Sequence, residues 1–273
     1  MMRNPARLLV PATAIAFVGC AGVGHEMPLA EAHLVSNAAV EITSHPMPLQ
    51  KRVMSAEEAE AMLHRVYNRL LPAAQEVCEQ SDEQDTCWWD VDYADERDFN
   101  AYATKENQIV VYHDVMTTVG SDDELAMVLA HEMGHHIADH IDETKTRAAT
   151  GAILGAIAMA AVAANAGPCY SYSCTQNMSN AVENSAYLGA AIGNLTFSVK
   201  QEKESDYLSA YILHRAGYSL MESRGVLVKM GAMSQRMETG LFDTHPAGPD
   251  RLATYDAVIS HVEMDEDGMP DAK

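Results

Sequence analysis

His131-Glu132-Met133-Gly134-His135 joins two histidines and a glutamate in the pattern H-E-x-x-H. On a helix, residues four apart share one face, one turn from each other. Two neutral imidazoles so placed can bind one zinc ion, and a glutamate beside the first can reach a water on that ion. The pattern therefore carries its own general base for metal-assisted hydrolysis. A catalytic zinc needs a third protein ligand. Glu202 and Asp206 are candidates, at i and i+4 in a stretch whose helical pattern continues through Leu208, Tyr211 and Ile212. One carboxylate of such a pair can bind metal while the other accepts a hydrogen bond from a ligand histidine and fixes its tautomer. Taken alone, the cluster also reads as a solvated charge patch. His136 and His140 form another i,i+4 pair, about 100° round the helix. With no glutamate between them, they read as surface residues or supports.

These side chains need elements to position them. Ser121 and Glu124 form a capping box before the apolar run Leu125 to Ala130, which predicts a helix over 122–141. A glycine inside a helix costs about 1 kcal/mol against alanine, so Gly134 marks close approach of another group. Ser55 and Glu58 open a second helix, from Ala56 to about Leu71, with Met62, Val66 and Leu70 at helical spacing and Pro72 as its end. Cys87 to Tyr93 reads as a strand. Asn100–Thr104 and Gln108–Tyr112 read as two more, joined through Lys105-Glu106-Asn107. Residues 147–166 are a run of Ala, Gly, Ile and Met. It is long enough to cross a membrane, but Ala and Gly add little transfer energy, so it reads instead as a closely packed helix or an apolar lid. Pro168 to Asn184 reads as a loop, with a further helix from near Asn184 through Tyr187 and Leu188.

The chain has 273 residues, 48% hydrophobic and 21% charged, the composition of a globular protein. A net charge of -21 excludes nucleic acid as a natural partner. Arg3 and Arg7 precede an apolar stretch, Leu8 to Val18, and Phe17-Val18-Gly19-Cys20 resembles a bacterial lipobox. The expected organisation is a signal peptide at 1–19, a tether at 20–50, a catalytic domain at 51–262 and a frayed acidic tail at 263–273. Lipid on Cys20 would hold the protein to the membrane. Ala21, in place of an aspartate, favours the periplasmic face of the outer membrane. The alternative is an ordinary signal peptide and a soluble periplasmic protein. Cys78 and Cys87 are nine apart, and Cys169 and Cys174 five apart. Two local disulfides fit an oxidising compartment. The other reading is a cysteine metal site, for which C-x-x-C pairs are missing.

Three motifs in order give a resemblance. H-E-x-x-H is followed by Glu202-Lys203-Glu204-Ser205-Asp206, and then by Thr244-His245-Pro246 with Arg251 beyond. This resembles the M48 family of zinc metallopeptidases, over roughly residues 55–260, and among its branches the small bacterial periplasmic lipoprotein proteases. Asn100-Ala101-Tyr102-Ala103, leading to Ser121-Asp122-Asp123-Glu124-Leu125, also resembles the family's run into its zinc helix. Ser205 stands where the family usually has alanine. The resemblance implies an α+β, minimal gluzincin fold: mainly helical, with a small, mostly antiparallel sheet over the zinc helix. It implies one zinc ion per chain on His131, His135 and Glu202 rather than Glu204, with Asp206 supporting. It also implies a sheet edge, for which Ala101, Tyr102 and Ala103 are the candidates, that binds extended peptide by strand addition. The expected activity is peptide-bond hydrolysis by zinc-activated water, with Glu132 as base. His245 and Arg251 would stabilise the oxyanion or position its supports, or His245 would take zinc's fourth position and hold the site shut. Expected substrates are unfolded or misassembled envelope proteins. The rival readings are a chaperone or assembly factor with a latched zinc cleft, a structural zinc protein, and a zinc hydrolase of non-peptide substrates. Glu132 speaks against the structural site, which needs no base.

Overall fold

Apolar side chains at three- and four-residue spacing build the frame. In this computed structural model the described residues are 24–80, 87–104, 106–144, 197–234, 245–265 and 268–271, with scattered positions between 146 and 181. Helix α1 is Ala32–Ser44 and α2 is Ala56–Cys78. Ser55 and Glu58 close both halves of the expected capping box. Met62, Leu63, Val66, Leu70, Ala74 and Val77 form the buried face of α2. Full burial of each large member contributes about 1.5–3 kcal/mol.

Helix α2 does not stop at Pro72. A proline inside a helix costs about 3 kcal/mol by removing a donor and crowding the preceding turn. Here Ala73, Ala74, Val77 and Cys78 bury themselves beyond it, and Cys78 is disulfide-bonded to Cys87. Those gains offset the proline.

The sheet has strands β1 (Asp90–Ala94), β2 (Ala101–Ala103) and β3 (Gln108–Tyr112), in the order β1-β3-β2. β2 pairs antiparallel with β3, but β1 pairs parallel with it. The sheet is therefore mixed, where mostly antiparallel pairing was expected. After β1 the chain crosses to the far edge, so β3 returns between the two strands, alongside β1 in the same direction. Asn107 supplies the left-handed residue (φ 58°) of the β2–β3 turn. β1 begins at Asp90 rather than Cys87, because the preceding carbonyls go elsewhere: Gln75 donates to Cys87 O, and the Tyr67 hydroxyl to Trp89 O.

After α3 (His113–Thr118) comes α4 (Asp122–Ile137), the zinc helix of the sequence reading. Every residue from Glu124 to His135 is buried. Around α4 pack α2, β2 and α5 (Val199–Arg215), then α6 (Leu220–Ser223) and α7 (Gly225–Ser234). Helix α8 (Pro249–Met264) lies against α5 and α1. Only half of the second capping box forms. Ser121 accepts from the Glu124 amide, while the Glu124 carboxylate turns to Lys229 (2.6 Å) and the Gly120 amide.

Gly134 meets its expected close approach. A Cβ there would lie 2.7 Å from Ser205 Oγ and 2.9 Å from Ser205 O. Helices α4 and α5 can touch at this height only because Gly134 has no side chain.

Two outer segments are more ordered than the sequence reading expected. Within the expected tether, α1 buries Ala38 and Ile42 against the body, and Arg224 ties Glu41 of α1 to Asp256 of α8. The small, alanine-rich face of α1 and its lack of a side-chain cap hid this helix. Residues 268–271 of the acidic tail dock on α5 rather than fray: the Asp271 amide donates to the Tyr207 hydroxyl and Arg215 donates to Gly268 O. Among the described residues, no helix is long and apolar enough to cross a membrane. Cys20, Cys169, Cys174, the 168–184 loop, the helix from Asn184 and most of the 147–166 tract lie outside the described residues.

Candidate metal centre

Helix α4 presents His131 and His135 on one face, as their spacing requires, and α5 lays Glu202 against them. His245, just before α8, completes a buried group of four whose ligand atoms all lie within 4.8 Å of one another. His131 Nε2 is 3.0 Å from His135 Nε2 and 3.2 Å from His245 Nδ1. Glu202 Oε1 lies 3.0 Å from His245 Nδ1 and 3.4 Å from His135 Nε2, and Glu202 Oε2 lies 3.4 Å from His131 Nε2. Four donors about 2.0–2.1 Å from a common centre in a tetrahedron stand about 3.3 Å apart. The observed spacings match the edges of that figure. Three imidazole nitrogens and a carboxylate turned on one point could hold a cation between them. The donor set, borderline nitrogen with one hard oxygen, suits zinc.

Each ligand is held from behind. His131 Nδ1 lies 2.9 Å from Asp206 Oδ1, so the network assigns its proton to Nδ1 and leaves Nε2 free. Arg251 grips Asp206 with two hydrogen bonds, of 2.6 and 2.9 Å, and sets Nη1 2.5 Å from Glu202 Oε2. Its guanidinium is thus committed to two carboxylates, which makes it a positioning residue rather than a group facing substrate. Desolvation opposes ionisation of Glu202, but Arg251 and His245 outweigh it and hold its carboxyl well below the usual range.

His135 is held differently. Helix α4 ends at Ile137, not 141, and Asp139 takes a left-handed conformation (φ 55°). That turn swings His140 back so that its Nδ1 lies 3.0 Å from His135 Nδ1. His140 is buried, neither a surface residue nor on a continuous helical face with His136. Its Nε2 meets Glu204 Oε2 at 3.1 Å. Glu202 and Glu204 therefore part company: one joins the four-residue cluster, the other faces away behind it. Phe197 stacks on the His135 ring with centroids 3.8 Å apart. Sequence reading passed over Phe197. The Ser205 hydroxyl donates to His131 O, so the departure from alanine adds a tie between α4 and α5.

Glu132 is buried beside the cluster, and its Oε2 has no hydrogen-bond partner among the described residues. His245 Nε2 is 3.5 Å from its Oε1, and the Ala103 amide of β2 also bonds the carboxylate. Burial pushes the Glu132 carboxyl above the usual glutamate range, against the pull of His245 and His131. A buried base kept short of partners is poised to take a proton. β2 is an edge of the sheet, with Ala101 buried and Tyr102 and Ala103 half-buried. His136 fixes the end of that edge: it accepts from Trp89 Nε1 at 3.0 Å and its Nε2 meets Thr104 O at 2.6 Å. A small cleft, with room for about one water, borders His131, Glu132 and His245, with Met127, Val128, Val226, Leu227 and Met230 as its apolar wall.

A buried H-E-x-x-H helix beneath a sheet edge, completed by a glutamate from a neighbouring helix, defines a zincin-like metallopeptidase. The model of peptidase family M48 matches residues 57–259, and the chain belongs to that family. It is similar to the Metalloprotease LoiP of Escherichia coli strain K12, 30% identical over 155 residues. That match covers 57% of this chain and 56% of the relative, so it spans little more than half of each.

Proposed function

We propose that this protein is a zinc-dependent endopeptidase of the bacterial cell envelope. The observation that carries the reading is the tetrahedral spacing of His131, His135, Glu202 and His245, with Glu132 buried beside it. Zinc at this point supplies Lewis-acid polarisation of a carbonyl and acidifies water. The chain's own residues do the rest. Edge strand β2 takes an extended peptide by strand addition through Ala101, Tyr102 and Ala103. Glu132 accepts the proton of the attacking water and delivers it to the leaving amine. Asp206 and Arg251 hold His131 and Glu202 in place while charge develops.

His245 has two roles in this reading. Displaced by substrate, it is free to donate to the oxyanion. Seated in the cluster, it closes the fourth position. Its Nδ1 lies 3.0–3.2 Å from Glu202 Oε1 and His131 Nε2, which favours a latched resting state. The same observation supports the second reading, a chaperone or assembly factor that binds envelope proteins at a latched cleft with little cleavage.

The lipobox-like Phe17-Val18-Gly19-Cys20 supports a lipid anchor at Cys20 on the periplasmic face of the outer membrane. Five residues of extended chain reach at most about 17 Å, so such an anchor would hold His25, and the metal centre with it, close to the bilayer. The substrates that fit are unfolded or misassembled envelope proteins, in a quality-control role.

Casein cleavage by the full chain, beside Glu132→Gln with zinc measured on both, tests the reading. The expected result is one zinc per chain in each and a loss of about 10²–10⁴-fold in cleavage for Glu132→Gln. Zinc in both with equal and negligible cleavage would favour the chaperone. Folded protein without zinc would end the proposal.

A further inference from the structure

His25 lies on the N-terminal side of the family match, only five residues after Cys20, yet it touches the support of the metal centre. Its backbone amide donates to Glu204 Oε1 at 2.9 Å, and its ring Nδ1 meets the same oxygen at 2.9 Å. The other oxygen of Glu204 faces His140 Nε2 at 3.1 Å, and His140 Nδ1 faces His135 Nδ1 at 3.0 Å. Glu204 is fully buried, and a buried carboxylate persists only where donors compensate it. The two histidines and one backbone amide supply those donors. The approach is close, since a Cβ on Gly24 would lie 3.0 Å from Glu204 Oε1.

The protons along this line are fixed if all three histidines are neutral. With His135 Nε2 turned to the metal position, Nδ1 carries the proton and donates to His140 Nδ1. His140 Nε2 then carries its proton and donates to Glu204. His25 donates to the far oxygen, with ring and backbone. Every donor finds an acceptor without a charged histidine. A carboxylate behind a ligand histidine sets the tautomer, the ring orientation and the basicity of the ligand. Here that influence passes through one added histidine and begins in the N-terminal segment.

We propose that His25, Glu204 and His140 form a positioning relay for His135, so that His25, outside the family match, is a working part of the metal centre. The proposal rests on the zinc reading above.

The test measures zinc affinity by chelator competition on the full chain carrying His25→Ala, His25→Asn or His140→Ala, together with the melting temperature of each metal-free protein. An asparagine amide nitrogen stands close to where histidine Nδ1 stands and keeps the donor. Loss of a partner behind a ligand typically weakens metal binding by about 10–100-fold. The expected result is a loss of about 10-fold or more for His140→Ala, a smaller loss of about 3–10-fold for His25→Ala, and recovery toward wild type in His25→Asn. Unchanged affinity in His25→Ala would overturn the proposal. So would equal losses in His25→Ala and His25→Asn that track a lower metal-free melting temperature, since they would mark packing alone. Should wild type itself hold no zinc, the zinc reading fails instead, and the two failures are distinct.

Discussion

The two histidines of H-E-x-x-H are supported by unlike arms. Behind His131 stands a carboxylate, Asp206, clamped by Arg251 in a paired hydrogen bond. Behind His135 stands a second histidine, then Glu204, then His25. The first arm is short and charged, and its members, Asp206 of α5 and Arg251 of α8, lie within residues 57–259. The second is longer, runs through imidazole rings, and ends at His25, outside that range. An Arg–carboxylate clamp is worth most where water is excluded, whereas a relay of imidazoles depends on each link keeping its tautomer. The comparison teaches that two histidines one helical turn apart are held by different chemistry, one by a clamped carboxylate and the other through a chain of contacts that reaches His25.

The sharpest way to break the first arm is Asp206→Ala. It leaves the Arg251 guanidinium buried with half its partners gone, and breaking a buried pair costs about 3–5 kcal/mol. Thermal unfolding of the metal-free protein reads this directly. A loss well under about 1 kcal/mol would show that the arm bears little of the structure. Gly134→Ala strikes both arms at once. Its Cβ would meet Ser205 Oγ at 2.7 Å and the Ser205 carbonyl at 2.9 Å, so α4 and α5 must part. Overpacking costs about 1–3 kcal/mol, offset by about 1 kcal/mol of helix propensity. The net melting loss is small, and the clearer readout is weaker zinc retention as the ligand helices separate. Zinc retention equal to wild type would show that the contact spaces nothing.

The smallest expected effect concerns α1, which carries the chain from the His25 arm into the body. Arg224 hydrogen-bonds Glu41 and holds its carboxyl below the usual glutamate range, against desolvation. A depressed carboxyl stabilises the folded state above its unfolded pKa, and that contribution is lost as pH falls through the lowered folded value. Acid titration should therefore loosen α1 more in wild type than in Glu41→Gln, with melting temperatures converging at low pH. Parallel curves would mean that the pair contributes nothing measurable.

Much of the first arm was legible in sequence. H-E-x-x-H fixes two ligands and the base, the i,i+4 pair Glu202 and Asp206 divides into ligand and support, and Gly134 announces its neighbour. The second arm was not. His140 reads as one turn beyond His136 on a continuous helix, and only the left-handed turn at Asp139 brings it back to His135. No periodicity signals that turn. His25 sits in a stretch without helical or strand pattern, and its partner is 179 positions away. The helix running through Pro72 was missed for a related reason, since burial of Ala73, Ala74, Val77 and Cys78 overrode the local rule. Phe197 carried no motif at all, and only its stacking on His135 gives it a role.

X-ray absorption at the zinc edge, on wild type and His245→Ala, tests the central claim most directly. The account predicts one zinc per chain bound by nitrogen and oxygen at about 2.0–2.1 Å, with three imidazoles in wild type and two in His245→Ala. Sulfur in the first shell, an unchanged imidazole count in the variant, or no bound metal would contradict it.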